Sequence, residues 1–547
     1  MKTYTALTIG PIYKTISRMK KVREIWGASY IFSKFMRLII KELLGSIDKS
    51  DFLVPYIDDE LVNNKEKYKG IGFFHDRLIF QTPADQNGLE ILNSAIEKAL
   101  NIISADIKND LKTPVSQEDI VDFLKAYLLY YSIEIKLQED ENPILKISPY
   151  LDTLELRERI PPVESLQTPN YLIAYLLKHG KTLRYDADHI KKKKGGCVAY
   201  SFPSIPQITI DDILKKHPDL EKKIIDIFQE ECQEKIPEDQ LLTKIEKILK
   251  EKNDSLNLKP YHKYIAIVQA DGDNMGKEIE LAFEKDRTKG LGKFSENLIK
   301  FAKKASEDIV KYGGHPIYIG GDDLLFFAPV FTELEKDKQE VTIFDLIDTL
   351  DSSFKNAFSD ALANPSLSFG LSITYYKYPM AEALENAYTL LTYKAKKIGK
   401  EKDAIAVELI RHSGQSFAFS LSKKQKSYTL FKNLLKNNLT EGEESVKIPH
   451  ALQHKLAILE QTVDTLLQSG DNLDNFFENF FNEEIHKEKF DRGLQDVQKL
   501  LFELYHEMTP QQKELCDLQK NDYHIKTPAV YMLFSLLSTI KLLRGDA

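Results

Sequence analysis

The amino-acid sequence predicts an α+β protein: two ferredoxin-like sheet domains, the second carrying an acidic site, with a helical insert between them and a helical C-terminal domain. Three observations lead there. From Tyr264 onward, apolar runs follow the order β-α-β-β-α-β, then α-β, which is the split βαβ plan. A shorter version of the same order opens the chain, and the stretches between and after the two carry helical spacing. At 547 residues the chain is also too long for one core and should divide into about three or four domains.

Taken in order, "YTALTIGPI" (4–12) reads as a strand, Ile16 to Leu44 as a long helix, and "GIGFFHDRLIF" (70–80) as a hairpin. Residues 160–262 hold short helical runs and the charged stretch "DLEKKIIDIFQEECQEKIPEDQLLTKIEKILKEKND", read as a solvated insert. Then follow a buried strand, "YIAIVQA" (264–270), a helix over 294–312, and two strands, "HPIYI" and "LLFFAPV", around Gly320-Gly321-Asp322-Asp323. A helix over 343–362, a strand over 367–376, a helix over 380–399 and a strand over 403–410 complete the unit. The tail from about Gly414 is helical with broad apolar faces, whose expected use is core burial. The boundaries expected are 1–159, 160–262, 263–412 and 413–547.

A right-handed crossover returns the hairpin beside the first strand, so Asp271 and Asp273 should meet Asp322 and Asp323 at one sheet edge. Glycine followed by aspartate is an ordinary turn signal, and a solvated tight turn is the plain alternative. A second adjacent acid adds only repulsion unless a cation sits there. Four carboxylates are costly without compensation, and such oxygen ligands suit magnesium or manganese. Gly320 and Gly321 are expected to let a phosphate approach the backbone. This is the pattern of a two-metal nucleotidyl-transfer site.

The first unit repeats the plan with the chemistry removed. Setting Asp322 against Asp76 puts Leu324, Leu325 and Phe326 on Leu78, Ile79 and Phe80. The glycines become Phe74 and His75, Asp323 becomes Arg77, and the first strand ends in "IGPI" where the other has "ADGD". Chance likeness of two apolar hairpins is the competing account.

Composition narrows the class. Hydrophobic residues make up 42% and charged residues 29%, the balance of a soluble globular protein. Net charge is −8, so any nucleic-acid contact must be local or supplied by a partner. Cys197, Cys232 and Cys516 lie far apart, which argues against disulfides and zinc ribbons and for a reducing cytoplasm. Neither a signal peptide nor a membrane span is expected.

With "ADGDNMGK" and "YIGGDDLLFF" in place, the chain resembles the large polymerase-like subunit of type III CRISPR effector complexes, in the Cmr-type branch. "GPIYKTI", "VREIWGASYIFS" (22–33) and "AYSFPSIPQI" (199–208) are similar to further segments of that family, over most of residues 1–411. The resemblance implies a subunit that works with other subunits, guide RNA and target RNA. On target recognition, the second palm of such a subunit converts ATP to a cyclic oligoadenylate messenger.

By the same resemblance, Asp271, Asp322 and Asp323 hold two magnesium ions and are the catalytic residues. Asp273 is an outer candidate, on the expectation that its side chain points the opposite way if the strand continues. Lys396 and Lys400 bind triphosphate oxygens, or else complement a helix dipole. Trp26 and Ser29 border a second nucleotide site between the palms, core packing being the other role for Trp26. Many relatives begin with an HD nuclease domain. This chain starts at the palm, "HD" at His75 and Asp76 lacks helical histidine partners, and DNA cleavage is not expected. The usual cysteine quartet is missing too, so structural zinc is not expected. The lysine run "HIKKKKGG" (189–196) reads as a solvated loop or an RNA contact. Adenylation of S-adenosylmethionine by the same palm, an inert guide-RNA scaffold and a GTP-using GGDEF-like cyclase are the alternatives.

Overall fold

The computed structural model describes the chain except residues 66–67, 69, 112–113, 158–169, 180–202, 218, 233–234, 254–256, 335–338, 401, 440–451, 470–475, 477–482, 518–524 and 546–547. The lysine run 189–196, Cys197 and the start of "AYSFPSIPQI" lie outside the described residues.

Two sheets share one strand order. In the first palm, β1 (Lys2–Gly10), β2 (Phe52–Val54), β3 (Arg77–Gln81) and β4 (Leu129–Leu137) lie in the order β2-β3-β1-β4. In the second, β5 (Tyr264–Asp273), β6 (His315–Gly320), β7 (Asp323–Pro329) and β10 (Ser366–Tyr375) lie in the order β6-β7-β5-β10, the same split βαβ arrangement. A small ladder of β8 (Phe331–Glu333) and β9 (Glu340–Thr342) stands beside it. The second sheet is extended by β11 (Ala404–Ile410), parallel to β10, and β12 (Ser416–Ser422), antiparallel to β11. The palm sheet therefore runs past residue 412 before the helical tail begins.

Strand β5 is central because Ile265, Ala266, Ile267 and Val268 are all fully buried, as a strand covered on both faces requires. One face is covered by the helices Met275–Tyr312 and Ile343–Ala357, joined by an edge-on contact between Phe301 and Phe354 at 4.9 Å. The tail helix Pro528–Arg544 is buried along most of its length and packs on β12, so its apolar faces serve the core. Among the described residues, no helix is long and apolar enough to cross a membrane.

Several expected elements differ. The 16–44 helix is two helices, Ile12–Ile16 and Val22–Leu43. The helix expected over 380–399 is α-helical only over Met380–Thr389, then becomes a π-turn (Leu390–Lys394) and a 3₁₀ turn (Ala395–Lys397). Of the 70–80 hairpin, only Arg77–Gln81 forms a strand. The arm before it runs along β6 of the other palm, where the Ile319 amide donates to the Gly72 carbonyl at 2.8 Å. Because β6 is an edge strand, its free amide finds an acceptor there, and the contact joins the palms.

The register also corrects the internal alignment. Leu7 faces Leu78 and Thr8 faces Arg77, while Ala270 faces Leu324. With Leu78 set against Leu324, the counterpart of Asp271 is Thr8. The stretch "ADGD" thus matches Leu7-Thr8-Ile9-Gly10, two residues earlier than sequence similarity placed it.

Candidate active site

The acidic site grows from two neighbouring strand ends. Ala270 and Leu324 are the last paired residues of β5 and β7, so Asp271 and Asp323 are the next positions across the ladder. Residues so placed have Cα atoms about 4.5–5.5 Å apart and project from one face. Gly320 pairs with Asp323, leaving Gly321 and Asp322 as a two-residue loop. Gly321 has φ +82°, the positive value that a Gly-first hairpin turn demands. At Gly320 the reason is different: an added Cβ would fall 1.8 Å from the Tyr318 hydroxyl. The sequence reading gave that room to a phosphate; here Tyr318 fills it.

Asp322 is held by its surroundings. The Gly272 amide donates to its carboxylate, and a Cβ on Gly272 would lie 2.5 Å from Asp322 Oδ2. Burial raises the Asp322 carboxyl to about 7, with the Asp323 charge adding to it. Asp323 is raised to about 7 by burial and then by Asp76 of the first palm. It is reached by solvent yet ringed by protein, the condition of a side chain on a cavity wall. Tyr318 is pushed well above its ordinary value by burial and by Asp323, Asp76 and Asp322.

Lys396 reaches the same place. Its ammonium contacts Asp271 Oδ2 and donates to the Gly272 carbonyl at 3.2 Å. Burial, then Lys402, lower it to about 8. A carboxylate and a carbonyl oxygen gathered around a positive charge are the donors that a hard divalent cation takes. With Asp322 and Asp323 beside them, the donor set suits magnesium or manganese in kind. Among the described residues, no three carboxylate, imidazole or thiol groups are yet gathered closely enough to hold an ion. Lys396 closes Asp271 to that arrangement.

Asp273 is not part of the cluster. Strict alternation would return it to the face of Asp271, but hydrogen bonds turn it aside. Its Oδ2 accepts from Ser368 Oγ (2.7 Å), Ser366 Oγ (3.1 Å) and the Asp403 amide (3.1 Å). It is fully buried, with its carboxyl raised by burial, and it acts on Asp322 only as a nearby charge. Lys400 is exposed in the loop before β11. Trp26 is core: it is buried, stacks on Tyr30, and donates from Nε1 to the Gly70 carbonyl at 2.6 Å.

Asp323 opens into a cavity of about 710 Å³ between the palms. Thr8, Ser29 and Asp76 line it from the first palm; Tyr318, Asp323 and Tyr388 line it from the second. Ser29 thus lies on the first-palm side of this cavity. Asp76 was missed as a member of the site, because its match to Asp322 was read as a relic of a decayed motif. In the first palm, Arg77 stands at the Asp323 position and binds Glu155 (2.8 Å) and Asp152 (2.6 Å), a fixed guanidinium among acids.

With this geometry established, the comparisons are specific. Residues 264–406 match the family described as Cas10/Cmr2, second palm domain, and residues 4–113 match CRISPR-associated protein Cmr2, N-terminal. Both palms match Cas10/Cmr2 domains. The Cmr2 subunit of the CRISPR Cmr system of Pyrococcus furiosus is 31% identical over 206 residues, covering 34% of this chain and 22% of that protein. The chain thus matches about a fifth of the length of its curated relative. In fold, this chain is similar to a chain of the Type III-B Cmr-beta complex bound to cognate target RNA, determined by cryo-EM (TM-score 0.52, 11% identity, 86% of this chain and 77% of that one). The apo state of that complex gives a TM-score of 0.51 at 12% identity, over 84% and 75% of the two chains.

Proposed function

We propose that this protein is a Cas10/Cmr2 subunit and the nucleotidyltransferase of an RNA-guided antiviral effector complex in the cytoplasm, converting ATP to a cyclic oligoadenylate when guide RNA pairs with target RNA. The observation that carries the reading is the juxtaposition of Asp271 and Asp323 at neighbouring strand ends, with Asp323 on the wall of a cavity lined by both palms. The cavity volume lies within the range of small-molecule sites, about 300–1,000 Å³.

Asp271, Asp322 and Asp323 would hold two magnesium or manganese ions. Bound there, such ions activate a ribose 3′-hydroxyl and neutralise a pyrophosphate leaving group. The remaining work belongs to the chain. The Gly272 amide and the Gly321 turn fix Asp322. Lys396 exchanges Asp271 for triphosphate oxygens when nucleotide enters, acting as a point charge, and Lys400 in the following loop adds a second. Gly321, at positive φ, sets the turn that presents Asp322 and Asp323. Ser29, on the opposite wall, offers a hydroxyl to a second nucleotide. Apolar walls such as Phe32 and Phe74 exclude water and strengthen each of these interactions.

The other subunits and both RNAs complete the assembly, consistent with a chain whose net charge of −8 gives it no general attraction for nucleic acid. The test is pyrophosphate release by the assembled complex with ATP, magnesium and target RNA. Release that needs target RNA and disappears in Asp322→Ala with Asp323→Ala supports the reading. Absent release, or release undiminished in that variant, refutes it. Mass spectrometry of the product with and without S-adenosylmethionine separates a cyclic oligoadenylate from an adenylated conjugate.

A further inference from the structure

Three tyrosines stand together at the rim of the inter-palm cavity. Tyr13 follows β1, Tyr388 lies at the end of the helix Met380–Thr389, and Tyr393 sits in the π-turn beyond it; they are 58%, 40% and 58% exposed. Among the described residues six large aromatic side chains are exposed, Tyr13, Tyr56, Tyr150, Tyr388, Tyr393 and Phe502, and three of the six meet here. The Tyr13 and Tyr388 rings line the cavity, 6.4 Å apart and inclined at 44°. Tyr393 stands edge-on to Tyr388 at 6.5 Å.

The rings are also held in place. The Tyr13 hydroxyl donates to Glu385, one helical turn before Tyr388, so a residue of the first palm is pinned to a helix of the second. From Tyr388 the π-turn leads directly to Lys396, whose ammonium lies on Asp271. One short segment thus presents an aromatic plane at one end and a positive charge beside the acids at the other. Those are the two ends of a nucleoside triphosphate.

We propose that Tyr13 and Tyr388 stack the purine base of the nucleotide in this cavity, with Tyr393 bracing Tyr388. The assignment rests on the nucleotidyl-transfer reading and adds the residues that hold the base. Stacking on an aromatic side chain contributes about 1–3 kcal/mol per base, which corresponds to roughly 5- to 150-fold in affinity.

The test is equilibrium dialysis of the full chain with magnesium and either α,β-methylene-ATP, which cannot lose pyrophosphate, or ribose 5-triphosphate, which has no base. Tyr388→Ala and Tyr13→Ala should each weaken α,β-methylene-ATP by about 5- to 150-fold and ribose 5-triphosphate by less than about 2-fold. Tyr388→Phe should retain wild-type affinity, as should Tyr150→Ala, which alters an exposed ring elsewhere. Both alanine variants binding α,β-methylene-ATP like wild type, while Asp323→Ala loses it, would overturn the stacking assignment and leave the nucleotide site standing. Equal losses for both ligands would also overturn it. A wild-type chain that binds neither ligand would overturn the nucleotide site and the stacking assignment together.

Discussion

Gly272→Ala is the substitution for which the structure makes the sharpest prediction. An added Cβ would lie 2.5 Å from Asp322 Oδ2, 2.6 Å from Met275 Cγ and 2.9 Å from Asp322 Cβ. Ordinary contact begins at 3.4 Å, so the Asp322 carboxylate must retreat by about 0.9 Å (3.4 − 2.5), while the flexible Met275 side chain moves aside. Displacement of a reacting group by about 1 Å costs on the order of 10²-fold in rate, or about 2.7 kcal/mol of barrier. The backbone there is extended and paired with Leu367, so alanine suits the strand and the fold survives. The expected outcome is pyrophosphate release about 10²-fold slower at saturating ATP, with a melting temperature within a few degrees of wild type. Gly276→Ala is the control: nothing lies within 4 Å of its Cβ, and alanine in a helix adds about 0.5–1 kcal/mol of stability. If Gly272→Ala turns over like wild type, or no slower than Gly276→Ala, Asp322 is not the residue on which the chemistry depends.

Other predictions follow from the charges. Asp322 and Asp323 have carboxyls raised to about 7, so each is accommodated when protonated and costs stability as pH rises from about 4 through 7. Asp323→Asn should therefore raise the metal-free melting temperature more at pH 8 than at pH 5, where only the first part of that cost is present, and magnesium should stabilise the wild type more at pH 8; equal effects at both pH values would contradict this. Asp273→Ala should be destabilising by about 2–3 kcal/mol in denaturant titration, because three buried donors lose their acceptor, whereas Asp323→Ala should abolish pyrophosphate release without that loss. Lys396→Met frees Asp271, so manganese titration of the nucleotide-free chain should show tighter binding than wild type while turnover falls; unchanged or weaker manganese binding would refute the competition.

The elements around the acids were legible because their sequence signals are local: a β-branched run ending in acids, and two apolar strands around a glycine pair. Their convergence followed from the handedness of the crossover alone, and the register bears it out. What stayed hidden depends on tertiary contact. Asp273 matches Asp271 as a letter in the motif, and only Ser366, Ser368 and the Asp403 amide take it out of the cluster. Tyr318 gives Gly320 its purpose, which no turn rule reveals. Asp76 joins the site because the first palm faces the second, held by contacts such as the Gly72 carbonyl on an edge strand and Lys303 on Asp58 and Glu60 rather than by any motif. Without cross-strand registers, the two-residue slip between "ADGD" and its counterpart was invisible.

The central claim is that acids from two neighbouring strand ends share a pair of divalent cations. Electron paramagnetic resonance of the full chain with manganese and α,β-methylene-ATP measures this directly. The account predicts two bound ions that are magnetically coupled, as separation by about 3.5–4 Å requires, and their loss in the variant with Asp271, Asp322 and Asp323 all changed to Asn. Uncoupled manganese, or binding that persists in the triple variant, would contradict it.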